Sequence, residues 1–178
     1  VLRRLLDGLF DWTGRLAALC VLAIFALMIY ASIGRMADLR VGWVNDVVAW
    51  ACAAAAFLAM GHAFKHGDFV RVTLVLDKVH TGVRRVLEVV SLAIAAVSVS
   101  YLAWWAARFT YESWEFHDMA GGMVVIPIWV PQMTFVVGAI VLLLAVLDEL
   151  VLVLRGEKPT YVRLVEERHA RGDYSEDI

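Results

Sequence analysis

Four long stretches of this 178-residue chain, 16–34, 47–64, 89–107 and 124–147, carry no charged side chain at all. An uncharged apolar run of about 20 residues is what a helix needs to cross a hydrocarbon core of about 30 Å. With 62% hydrophobic residues, against the roughly 45–50% of an ordinary soluble domain, a membrane protein is the reading that fits. Cysteine is as scarce: Cys20 and Cys52 both lie inside apolar runs, where a thiol behaves as a small hydrophobe, so neither a disulfide nor a metal cluster is expected. The formal net charge of −2 is spread over short islands, which excludes the basic surface of a nucleic-acid binder.

Catalytic and cofactor signatures are missing as well. There is no Ser-His-Asp order and no phosphate-cradling glycine loop; Gly121-Gly122 reads as a turn. His62 lies toward the end of an apolar run, His66 and His80 in a connection, His117 at the far side and His169 in the tail. No two share a mid-membrane depth, as haem ligation across facing spans would need, so no cofactor is expected and no enzyme. Pro127 and Pro131 sit at the start of the last apolar run and none of the three prolines interrupts a span. Transporters build substrate sites from broken helices and repeated halves; without either, this chain is not expected to form a translocation site alone. A partner is implied.

What is present reads as an all-α membrane domain over 1–154, with spans at about 12–34, 41–64, 86–107 and 124–150 and a tail over 155–178. Arg3 and Arg4 resemble the n-region of a signal peptide, but the following run is longer than an h-region and lacks a small-x-small cleavage site, which favours an uncleaved anchor. Ala51, Ala55 and Ala59 recur at every fourth residue of the second span, a stripe that lets another helix approach, or compact filling. Tyr101, Trp104 and Trp105 suit an interfacial belt. Glu88 follows Arg84 and Arg85 at helical pairing distance, and Asp46 has Arg35, Arg40 or a partner subunit as candidate counter-ions.

The connection over 61–79 leaves the second span with a change of period. Phe69, Val72, Leu76, Val79, Val83 and Val86 follow three- and four-residue steps, while Asp68, Arg71, Lys78 and Arg85 recur on the other side. An amphipathic interfacial helix over about 68–85 is expected, in preference to a short strand over 69–76, with Phe69, Arg71, Lys78, Arg84 and Arg85 anchoring it at lipid headgroups. Arg3, Arg4, Arg15, Lys65, Arg71, Lys78, Arg84, Arg85 and the tail's basic residues then share one side, leaving Arg35, Arg40 and Arg108 on the other. By the positive-inside rule both termini are cytoplasmic.

In order along the chain come Arg35 after the first span, Asp46 opening the second, Lys65-His66-Gly67 followed by Val70-Arg71-Val72, the pair Arg84-Arg85, and Ile126-Pro127-Ile128-Trp129 opening the fourth. Over about 35–150 this resembles the small membrane (DctQ-like) subunit of tripartite ATP-independent periplasmic (TRAP) transporters. It departs from them at Phe69, where members often carry histidine. The resemblance implies a bacterial inner-membrane location, a much larger membrane subunit and a periplasmic substrate-binding protein as partners, and sodium-gradient-driven uptake of an organic acid. The large subunit would hold the substrate and sodium sites. Arg35, Asp46, Ala51, Ala55, Ala59, Pro127, Ile128 and Trp129 become candidate partner contacts. The alternatives from the residues are a membrane anchor for a redox complex and a self-assembling four-span structural protein.

Overall fold

The structure, a computed structural model, describes residues 2–66, 81–156 and 160. Four helices make up almost all of it: α1 (Leu2–Met36), α2 (Trp43–His66), α3 (Thr81–Glu115) and α4 (Trp129–Arg155). Each is long and apolar enough to cross a membrane. Among the described residues the only β feature is an isolated antiparallel bridge between Met119 and Pro127.

The helices do not stop at the edges of the apolar runs. At 35 residues each, α1 and α3 are about 52 Å long, well beyond a core of about 30 Å. No proline interrupts either of them, and the charged turns flanking the apolar runs continue the helix. The interfacial helix expected over 68–85 is corrected in the part that can be seen: residues 81–85 are the opening turns of α3. The rest of that segment, with the strand alternative over 69–76, lies outside the described residues. The fourth helix begins at Trp129 rather than 124, because residues 118–128 fold back on themselves, with Ala120 N–H donating to Ile126 O at 2.8 Å and Ile128 N–H to Asp118 O at 2.9 Å. Pro127 thus precedes the helix and Pro131 lies in its first turn, where a missing N–H costs least.

Two helices end in the same left-handed turn. After α1, Asp38 has φ 55°, and after α3, His117 has φ 55°. In each case the next residue donates five positions back, Leu39 N–H to Gly34 O at 2.9 Å and Asp118 N–H to Ser113 O at 3.0 Å, which satisfies carbonyls that the helix end leaves open.

The helices pack in the order α1–α2–α4–α3, with slight further contact between α1 and α4. The result is a row rather than a closed bundle. In the most apolar stretch of α4, 56% of residues are buried, against 11–17% in the other three helices, so α4 is the best-covered member. Lipid removes the hydrophobic drive for helix association and leaves close packing to supply it. Ala17 meets Ala54 and Leu58 between α1 and α2, and Ala96 meets Leu142 and Val146 between α3 and α4. Between α2 and α4 the approach is close: a Cβ on Gly138 would stand 2.5 Å from the Phe57 carbonyl oxygen, and one on Gly61 would stand 2.6 Å from Val141 Cγ1. Phe57 and Phe135 close the same seam edge-on, with centroids 4.2 Å apart.

Gly138→Ala should therefore push α2 off α4 and cost about 1–3 kcal/mol, seen as a lowered thermal midpoint in detergent. Gly8→Ala, where an added Cβ meets nothing within 4 Å, should leave the midpoint unchanged or raise it, with a stability gain of up to about 1 kcal/mol.

Candidate functional site

Charge gathers at the two ends of the row. At the end carrying the N-terminus of α1 and the C-terminus of α4, Lys65 of α2 is 4% exposed and Glu149 of α4 is wholly buried. The Lys65 ammonium donates to Asp148 and, at 3.0 Å, to Glu149 Oε1, and lies 5.4 Å from the centroid of the Phe10 ring of α1. The second Glu149 oxygen accepts the Thr160 backbone N–H at 2.9 Å. Three helices and the start of the tail thus meet on one ammonium and two carboxylates. The cluster is not at the helix end: the next charged residue, Arg155, is six positions beyond Glu149, about 9 Å along the axis, and the intervening turns are Leu and Val. In such surroundings a charge needs every partner it has.

Sequence reasoning misses this cluster: Lys65 enters it only among the basic residues of one side and in Lys65-His66-Gly67, with nothing to tie it to Asp148 and Glu149. The signal was their shared depth: an isolated lysine closing the second span and an acidic pair closing the fourth, on the same side.

Beside it, His62 and His66 stack with ring centroids 4.0 Å apart, and Asp11 of α1 approaches His62 Nδ1 at 3.7 Å. Arg85 of α3 reaches across to α4 and donates to the carbonyls of Val153 and Leu154 at 3.4 and 3.3 Å. A cation at a helix C-terminus also meets the negative end of its dipole. Arg85 is exposed and caps a neighbouring helix. Phe69, Arg71 and Lys78 lie outside the described residues, and Arg84 precedes Arg85 on α3.

At the opposite end Asp46, half-buried in the first turns of α2, accepts the Val124 N–H at 3.1 Å. Its counterpart is therefore the α3–α4 loop, which folds over the start of α2, rather than an arginine. Arg35 turns back on its own helix, with Nε donating to Ala31 O at 3.2 Å. Of the alanine stripe, Ala55 is buried and Ala59 packs on the Ala17–Ala54–Leu58 cluster, so these serve packing within the chain, while Ala51 is half-buried. Pro127, Ile128 and Trp129 are half-buried where the loop enters α4. Tyr101, Trp104 and Trp105 are exposed on α3, Trp105 under the Arg108 guanidinium at 5.3 Å, as an aromatic belt is.

A row of four spanning helices, charged toward its ends and apolar on its broad faces, defines a multi-pass integral membrane protein. Residues 34–156 match the family described as tripartite ATP-independent periplasmic transporters, DctQ component, and the chain belongs to that family, the small component of TRAP transporters. No curated protein matches the chain closely enough to refine this.

Lys65→Met, which leaves two carboxylates without their cation, is expected to cost about 3–5 kcal/mol. Adding Asp148→Asn and Glu149→Leu should recover much of the loss, read as thermal midpoint in the same detergent. Asp46→Ala removes the acceptor that holds Val124 and should make the 116–128 loop the first site of limited proteolysis, with Asp46→Asn intermediate.

Proposed function

We propose that the chain is an auxiliary, scaffold-like subunit that widens and steadies the membrane wall against which a large TRAP subunit carries its substrate. The observation that supports this most directly is the open row. A self-sufficient four-helix protein would close its helices around one core, whereas here α1 and α3 stand at opposite edges with large apolar side chains uncovered, among them Leu22, Phe25, Ile94 and Val97. Some of that surface suits lipid and some suits a second membrane protein. With no charge in the middle of any span, the substrate and sodium sites fall to the large subunit. In this reading an organic acid is delivered by a periplasmic binding protein and driven inward by the sodium gradient.

The end with Lys65 and Arg85 carries the greater share of basic residues, so it faces the cytoplasm of a bacterial inner membrane. Phe69, Arg71, Lys78, Arg84 and Arg85 anchor that side at anionic headgroups. Ala51, Arg35 and the Pro127-Ile128-Trp129 corner are the contacts left for the large subunit. The redox-anchor alternative draws nothing from the histidines: His62 and His66 stack ring on ring on one helix, with no room for a porphyrin between them.

Liposomes holding this chain alone should take up no organic acid under a sodium gradient. Co-purification from native membranes in mild detergent should bring down a much larger polytopic protein, and adding it with the binding protein should restore uptake. Uptake by the chain alone, or a flavoprotein as the co-purifying partner, would refute the auxiliary role.

A further inference from the structure

One group of side chains is left without a task by the transporter reading. Asp11 of α1 faces His62 and His66, which stand one turn apart on α2, and each residue offers a ligating atom within 4.8 Å of the other two. His62 Nδ1 is shielded from solvent and lacks a hydrogen-bond partner, a state that buried nitrogens seldom keep, and the Asp11 carboxylate is 3.7 Å away. His66 Nδ1 lies 2.9 Å from the His62 carbonyl oxygen. A carbonyl only accepts, so this nitrogen carries the proton and the lone pair is on Nε2. Metal-binding imidazoles are oriented by just such a second bond. The His62 ring lies so close to α1 that a Cβ on Gly14 would come within 2.8 Å of its Cγ. Lys65, the nearby ammonium, is already balanced by Asp148 and Glu149.

We propose that Asp11, His62 and His66 form a site for a divalent transition metal of the zinc type, which clamps α1 to α2 and leaves a fourth position to water. Two imidazoles and one carboxylate are donors that suit such an ion rather than magnesium or calcium. A tetrahedral ion with bonds of about 2.0–2.1 Å sets its ligand atoms about 3.3 Å apart. The three side chains must close by no more than about 1.5 Å to reach that spacing, and with Asp11 53% and His62 36% exposed, side-chain rotation suffices. The site stands on this chain's own residues and does not depend on the transported substrate.

The test uses the full chain, purified with the membrane proteins that accompany it through an affinity tag free of histidine, and stripped with chelator. Titration with Co²⁺ should saturate at one equivalent per chain with the intense visible absorption of a four-coordinate ion. Zn²⁺ should displace it and raise the thermal midpoint. His66→Gln and Asp11→Asn should each weaken binding by more than the roughly 10–100-fold that loss of an outer-shell partner costs, while His117→Gln, at the opposite end, should leave the titration unchanged. Asp11 is exposed, so its variant tests the site even where a histidine change disturbs packing. Only the weak absorption of hydrated Co²⁺, or one-equivalent binding that survives in both variants, would overturn the assignment.

Discussion

The seam between α2 and α4 holds the chain together. α1 packs chiefly on α2 and α3 packs on α4, so each outer helix is attached to the rest through an inner one. In lipid, apolar contact between helices brings no gain over apolar contact with acyl chains, and the seam depends instead on backbones brought close at Gly61 and Gly138 and on the Lys65 cluster at one end. Desolvating three charges is expensive, and a well-packed apolar substitute could be as stable. What the ions add is register: an ammonium on α2 that must meet two adjacent carboxylates on α4 tolerates neither a slide nor a rotation of one helix against the other.

Much of this architecture was legible in the residues. Uncharged runs of about 20 residues mean spanning helices whatever the tertiary context, and the ordered pieces from Arg35 to Trp129 carried the family. What escaped was anything set by the meeting of two helices. Asp46 had arginines near it in sequence, yet its hydrogen bond is to Val124, distant along the chain but folded over it. Arg85 read as a lipid anchor because its own helix offers no hint of the open carbonyls of α4. Asp11, His62 and His66 looked dispersed for the same reason: one lies before the first apolar run and two close the second. Helix ends were blurred too, since hydropathy marks where lipid stops and only a proline or a left-handed turn marks where a helix does.

An open row suits a component of a larger transporter better than a free-standing protein. Only α4 is well covered by its neighbours, while α2 and the two outer helices leave broad apolar faces open. Lys65, Asp148, Glu149, Asp46 and Arg85 each tie one helix or loop to another, which is the chemistry of a rigid support.

Thr160 brings a backbone amide from beyond α4 to the buried charges. Gly156 takes a left-handed cap at the end of α4, and the Thr160 amide donates to Glu149, seven residues before that cap. Thr160 thus stands beside the buried charges rather than beyond the tip of the helix. A small probe carried at that one position would sit within reach of the Lys65 cluster and could report on it.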